Sequence, residues 1–508
     1  MIRCPCFFSF SGEYMYGKLD CTYDARTLSG LLLSPQKESR EQEPTLPDDM
    51  ICLLLLAILL APAATSLAGR SPSEHCARDT RCGLVKQESG YVNLPNRVDG
   101  HYFYWYFESR SEPRSDPLIL WIPGGPGEGG TYGLLAENGP FTINNDSTTT
   151  PNPYSWTTHA NMVWIDAPLN SGFSYSSVAE DDELTDERVA ESVFWFLQGF
   201  LTKHSDLQGR ELFLSGESYG GHFVPSVAHY IWKRQDEQLF SPSVAGFIPV
   251  NLRGIVIGNG LTNSVEVYSH SVDMAENRYN ITLVNETQLA VMKAATPKCR
   301  DLLTECQKNA SVCGDAGACW ATTQYLPLLG ALRSPYDIRQ ECETAITNAT
   351  ECILKVPNVK AYLDLPEVRE FLGVHPSRKE WILLNTTINA AFFGPPSYSG
   401  FQSVADKVSE LLDAGLRVML YAGDADLLCN VYAIEATANK LDWFGSAGFN
   451  VAKERPYSTS SGLEGAGTVR SFSRLTFVKL YNAGHMAPGD QPEVALDMIA
   501  KFLRNDEL

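Results

Sequence analysis

Glu211-Leu212-Phe213-Leu214-Ser215-Gly216-Glu217-Ser218-Tyr219-Gly220-Gly221-His222 is the stretch whose reading decides the fold. An apolar run of strand type, Leu212 to Leu214, meets Gly216 and then a helix-like segment, Tyr219 to Trp232. Gly216-Glu217-Ser218-Tyr219-Gly220 fits the G-x-S-x-G elbow, in which small flanking residues let the chain turn sharply and lift a serine oxygen clear of a sheet. The pentapeptide alone is a weak signal. Its meaning depends on partners elsewhere in the chain.

The wider sequence reads as an α/β domain with an insertion. Gly90-Tyr91-Val92-Asn93-Leu94 and the aromatic run His101 to Phe107 read as paired strands. Leu118 to Ile122, Met162 to Ile165, Gly254 to Gly258 and Arg417 to Gly423 are short apolar runs of the kind that fill a buried parallel sheet. Ser403 to Ala414 has helical spacing, with Ser403 as a cap and Gly415 at the stop. Lys453 to Gly467 reads as a Gly/Ser/Pro-rich surface loop, Leu475 to Tyr481 as a last strand, and Gln491 to Leu503 as a closing helix with Val494, Met498, Ile499 and Phe502 on one face. From Asn263 to Leu365 the composition changes to sequons, cysteines and proline-broken helical runs, which predicts an inserted, disulfide-stapled helical cap over residues 263–365. The core then falls into 69–262 and 366–508.

Residues 1–49 read as a non-structural extension, and 50–68 as a signal peptide, with the apolar core Ile51 to Ala61 and a small-residue cleavage region ending at Ala68. Such a leader predicts the secretory pathway, secreted or vacuolar, with no stable membrane insertion after cleavage. Cys76, Cys82, Cys299, Cys306, Cys313, Cys319, Cys342, Cys352 and Cys429 remain, which suits four disulfides and one free thiol in an oxidising compartment. Asn145, Asn280, Asn285, Asn309, Asn348 and Asn385 each begin an Asn-x-Ser/Thr sequon and are expected N-glycosylation sites. A net charge of −20 without Lys/Arg runs argues against nucleic acid as a partner. The cysteine and histidine spacings do not follow zinc-site patterns, and no metal or cofactor is called for. The terminal Asn505-Asp506-Glu507-Leu508 has the form of an endoplasmic-reticulum retrieval signal, although a plain polar tail is the preferred reading.

A serine hydroxyl needs a histidine to take its proton and a carboxylate to orient that histidine. Asp424 and Asp426 follow the strand ending at Ala422, and His485 follows the strand ending at Tyr481. That order, Ser, Asp, His, is the one found in α/β hydrolases. His222, four residues past Ser218 on the same helix, reads as packing. For the oxyanion, the backbone N–H of Tyr219 is one donor, and the Gly124-Gly125 loop after Ile122 stands where the second is supplied. Glu217, beside the nucleophile, would hold its proton above the usual range if a second carboxyl lay close to it, because two close carboxyls in a partly buried cleft do not ionise together easily.

Gly216-Glu217-Ser218-Tyr219-Gly220-Gly221-His222-Phe223-Val224-Pro225, Asn152-Pro153-Tyr154-Ser155-Trp156, Gly172-Phe173-Ser174-Tyr175-Ser176, Gly258-Asn259-Gly260-Leu261-Thr262, Tyr336-Asp337-Ile338-Arg339, Tyr421 to Asp426 and Gly484-His485-Met486 resemble the serine carboxypeptidases of fungi and plants, from about Gly90 to Leu503. The resemblance implies an α/β-hydrolase fold with a mostly parallel central sheet, helices on both faces and a helical insertion roofing the site. It implies a catalytic triad of Ser218, Asp426 and His485, an oxyanion hole of Gly125 and Tyr219, and a substrate site involving Glu217, Glu137, Gly124, Cys429 and Met486. It further implies a disulfide between Cys342 and Cys352, and Cys429 as the free thiol. The expected activity is release of C-terminal residues from peptides or proteins through an acyl-enzyme, best at acid pH. Two segments depart from the family pattern: Pro123 replaces an asparagine that binds the substrate carboxylate, and Glu128-Gly129-Gly130 replaces Cys-Ser-Ser. Pro123 favours the alternative of an esterase, amidase or acyltransferase on the same scaffold.

Overall fold

The computed structural model describes residues 85–240, 247–353 and 355–508. The expected leader, Cys76 and Cys82 lie outside the described residues. The strands, in chain order, are β1 (Gln87–Asn93), β2 (His101–Phe107), β3 (Leu118–Ile122), β4 (Phe141–Ile143), β5 (Thr149–Pro151) and β6 (Asn161–Ile165). They continue with β7 (Glu211–Glu217), β8 (Asn251–Gly258), β9 (Arg417–Gly423), β10 (Arg455–Tyr457), β11 (Gly467–Phe472) and β12 (Leu475–Leu480). Ten of them form one sheet in the order β1-β2-β6-β3-β7-β8-β9-β12-β11-β10, and β4 and β5 pair separately. The centre, β6-β3-β7-β8-β9-β12, is parallel, and antiparallel strands finish both ends.

Side-chain alternation explains why both faces are covered. On β2, Tyr104 and Tyr106 pack against Phe200 of the helix Asp186–Lys203, with ring centroids 5.4 and 5.6 Å apart. The intervening Trp105 and Phe107 point the other way, onto Phe141. Phe213 of β7 meets Phe502 of the closing helix Pro492–Arg504 at 5.9 Å on that second face. Burial of each such ring contributes on the order of 2–3 kcal/mol. This is the α/β-hydrolase architecture, and it places the C-terminal ends of β3, β7, β9 and β12 along one edge.

Two local expectations are corrected. The stretch 453–467 is not all loop: Arg455–Tyr457 pairs with β11 as the outermost strand, a position where Pro456 costs no interior ladder bond. The helix expected from Ser403 spans Ala405–Asp413 with Val404 at its cap position, and Ser403 Oγ accepts from the Ala405 N–H.

Between β8 and β9 the chain is helical, including Glu286–Cys306, Cys313–Trp320, Val356–Leu363, Pro366–Leu372 and Thr386–Phe393. Cys299–Cys319 and Cys306–Cys313 tie the first two of these helices together, and Cys342–Cys352 closes a third loop. Cys429 is free and buried. Among the described residues no helix is long and apolar enough to cross a membrane. At the C-terminus, Arg504 binds Asp506, Arg455 pairs with Glu507, and Leu508 packs on the core.

Candidate active site

The turn from β7 into the helix Gly220–Phe240 holds Ser218 at φ 59°, a left-handed conformation that is uncommon for a side chain of this kind. Hydrogen bonds from Ser218 N to Gly258 O (3.2 Å) and from Leu261 N to Ser218 O (2.8 Å) fix the strained residue to the end of β8. Glycines are needed around it. A Cβ at Gly216 would lie 2.4 Å from Ile122 O, one at Gly221 2.6 Å from Leu261 N, and one at Gly124 2.7 Å from the Ser218 Cβ itself.

Asp426, past β9, is fully buried and accepts from Leu428 N (2.8 Å), Cys429 N (3.2 Å), Asn259 Nδ2 (2.8 Å) and His485 Nδ1 (2.7 Å). His485, past β12, thus has one ring nitrogen engaged. Its Nε2 is buried and makes no hydrogen bond. The ring is further held by its own backbone N–H to Tyr336 O (2.7 Å) and by the edge of Tyr336 at 5.5 Å. Asp424, the rival carboxylate, is bound instead by Arg278 at 2.9 Å and by the Tyr279 hydroxyl. His222 is buried, pairs through Nδ1 with Asp186 (2.9 Å) and stacks on Tyr219 at 4.5 Å, so it supports the ring behind the turn.

After β3, Gly125 adopts φ 98°, and the loop is tied down by Asn385 N to Gly127 O (2.8 Å) and Gly129 N to Leu383 O (2.9 Å). Among the described residues no hydrogen bond occupies the backbone N–H of Gly125 or Tyr219. Two free N–H groups beside a strained serine can stabilise a developing oxyanion.

Three carboxyls gather near these groups. Glu137 and Glu217 are 5% and 7% exposed. Burial raises the pKa of Glu217 well above the usual range, and the charge of Glu137 and a hydrogen bond to it add to the effect. Burial also raises Glu137, against the opposing pull of the Glu217 hydrogen bond and of Lys355, whose Nζ donates to Ala136 O at 2.6 Å. The third, Glu128, is pushed up to about 8 by burial and by Glu137. A carboxyl with a raised folded-state pKa holds its proton more tightly folded than unfolded. Its contribution to stability is therefore complete below the ordinary glutamate range and is lost as pH rises through the folded value. Thermal stability should accordingly decline between about pH 5 and 8.5, and Glu128→Gln should flatten that decline in a melting series; an unchanged slope would count against a protonated Glu128.

A family model for serine carboxypeptidases matches residues 80–505. The chain belongs to the serine carboxypeptidase family. It is 33% identical over 432 residues to carboxypeptidase Y of Candida albicans, covering 84% of this chain and 75% of that protein. It is also 33% identical to a vacuolar serine-type carboxypeptidase of Saccharomyces cerevisiae, covering 82% and 79%. The crystal structure of a prohormone-processing carboxypeptidase from Saccharomyces cerevisiae superposes with a TM-score of 0.71 at 23% identity, covering 83% of this chain and 92% of that one, and shows the shared fold.

In this serine carboxypeptidase the Cys429 thiol, near Asp426, is buried and pushed up in pKa by that burial, and Met486 is half-buried one residue beyond His485. Four residues near the site had no site role in the sequence reading. Asn259 donates to Asp426 and accepts from Gly423 N (3.0 Å), bridging the ends of β8 and β9. Tyr336 and Lys355 hold His485 and the Glu137 segment, and Glu128 brings the extra carboxyl. Asn259 and Tyr336 stood within quoted motifs; nothing in the sequence marked Lys355.

Proposed function

We propose that the protein is a serine carboxypeptidase that releases C-terminal residues from peptides through an acyl-enzyme on Ser218. The observation that carries this reading is the buried Asp426–His485 pair, with Nδ1 held at 2.7 Å and Nε2 unengaged, at the strand edge that carries Ser218. Ser218 Oγ attacks the scissile carbonyl while His485 Nε2 takes its proton, and Asp426 stabilises the imidazolium. The N–H groups of Gly125 and Tyr219 receive the oxyanion. Collapse expels the C-terminal amino acid, whose amine takes the proton from His485, and water then repeats the sequence in reverse to free Ser218.

Recognition of the terminal carboxylate falls to the Glu217–Glu137 pair, with Gly124 beside it and Cys429 and Met486 lining the site. A shared proton lets the pair donate to an anion rather than repel it. Because burial raises both carboxyls, the donor persists at acid pH and is lost as pH rises. On an N-blocked dipeptide with a free carboxylate, kcat/KM should fall as pH rises from about 5 to 8, whereas the corresponding ester should not share that loss. Glu217→Gln should remove most of this difference between acid and ester. An identical pH profile in the variant would rule out the shared proton.

Pro123, which has no side-chain donor, favours a second reading: an esterase, amidase or acyltransferase on the same scaffold. The same comparison separates the two, since serine-dependent turnover of the ester or amide alone would select the second. The reading places the protein in the secretory pathway, secreted or vacuolar. Asn145, Asn280, Asn285 and Asn309 are exposed and accept glycans readily in this reading. Asn348 and Asn385 are half-buried and their Nδ2 groups donate to Glu351 and to Asn170 O, which makes these two poorer acceptors. The engaged C-terminal residues make a poor retrieval signal.

A further inference from the structure

The loop after β3 is held by its carbonyls. Gly124 O accepts from Glu128 N at 3.4 Å, Pro126 O from Asn389 Nδ2 at 3.2 Å, and Gly127 O from Asn385 N at 2.8 Å. The Gly124-Gly125 peptide is trans, so with its carbonyl turned to Glu128 its N–H points the opposite way. The peptide before Tyr219 is set by the same means. Ser218 O accepts from Leu261 N (2.8 Å) and Gly221 N (2.9 Å), which leaves the Tyr219 N–H on the other side. Backbone N–H groups make all of these bonds except the one to Pro126, where the donor is the half-buried side chain of Asn389. The exception matters because Pro126 stands between Gly125 at φ 98° and Gly127 at φ 94°, and glycine offers little resistance to rotation of a neighbouring peptide.

We infer that Asn389 is a positioning residue that keeps the Gly125 N–H in the oxyanion site by fixing the Pro126 carbonyl. The inference rests on the reading above, in which the N–H groups of Gly125 and Tyr219 receive the oxyanion. The helix that carries Asn389, Thr386–Phe393, reaches both donors. Three residues past Asn389, and so on the same face of the helix, Phe392 is fully buried with its ring 5.4 Å from that of Tyr219 and 5.8 Å from that of Phe223. Phe393 lies 6.0 Å from the Tyr219 ring. Just before the helix, Leu384 bridges Glu128, and its Cδ1 would lie 3.1 Å from a Cβ at Gly125. One element therefore spans from the Tyr219 ring to the Pro126 carbonyl, and the Asn389 hydrogen bond sets one donor against the other. Without that bond the two glycines let the loop rotate, and the Gly125 N–H leaves its place beside Ser218. Misplacement on this scale costs up to about 10²-fold in rate.

The test compares two inhibitors of ester hydrolysis at about pH 7: a peptide aldehyde, which adds reversibly to Ser218 Oγ and puts its oxygen where the oxyanion forms, and the corresponding alcohol, which cannot add. Wild type should bind the aldehyde at least about 10²-fold more tightly. In Asn389→Ala that preference should fall roughly tenfold or more, and kcat for the ester should fall about 10- to 100-fold with KM changed by less than about threefold. Asn389→Asp keeps the shape of the side chain but presents a carboxylate in place of the donor, so it should behave like Asn389→Ala. Both variants should melt within a few degrees of wild type. An aldehyde preference unchanged in Asn389→Ala, or restored in Asn389→Asp, would overturn the inference alone, because it would make the residue one of packing. A wild-type enzyme with no preference for the aldehyde would overturn the assignment of the oxyanion donors and the inference with it.

Discussion

Ser218→Ala should lower kcat on a peptide substrate by roughly 10⁴–10⁶ while leaving the fold intact. The fold should survive because alanine and serine face the same cost at φ 59°, which the surrounding hydrogen bonds to Gly258 and Leu261 already impose. Residual activity would come from the free N–H groups of Gly125 and Tyr219 and from substrate binding. Since Ser218 and His485 are proposed to act as one unit, the double variant Ser218→Ala/His485→Ala should be about as inactive as either single one. Steady-state kinetics with a melting curve for each variant checks this. Losses that multiply in the double variant would mean that the two residues act separately.

Asp426→Asn should cost about 10⁴ in kcat. The carboxylate accepts from His485, Asn259 and the N–H groups of Leu428 and Cys429. An amide has one acceptor oxygen and presents two N–H groups to donors, so it would favour the wrong tautomer of His485 and leave a buried donor unpaired. The second effect should lower stability by about 1–3 kcal/mol. Asp424→Asn is the control: it disturbs the contacts to Arg278 and Tyr279, which do not include His485, and should change kcat by less than about threefold. The reverse pattern, with Asp424 costly and Asp426 tolerant, would transfer the orienting role to Asp424.

The parts of the site that were legible in the sequence are those encoded locally. Ser218 is marked by its own glycines, and His485 and the pair Asp424 and Asp426 by the apolar strands before them, because a buried parallel strand announces its end; only the family resemblance chose Asp426 over Asp424. β10 was missed for the opposite reason: an outermost strand of three residues containing Pro456 carries neither an apolar run nor alternation. Spacing did not give the nested pairing of Cys299–Cys319 around Cys306–Cys313, which depends on two helices lying side by side. The same holds for contacts between distant segments. His222 was read correctly as packing, but its partner Asp186 sits on another helix. Glu128 looked like a departure from a motif, and it gains meaning only from the Leu384 bridge and from the company of Glu137 and His485.

The central claim is tested most directly by time-resolved mass spectrometry of one peptide, with a free C-terminus and with an amidated one, at about pH 5. The account predicts stepwise loss of residues from the C-terminus of the free peptide, much slower attack on the amide, and no reaction with Ser218→Ala. Internal cleavage, loss from the N-terminus, or equal digestion of both peptides would contradict it.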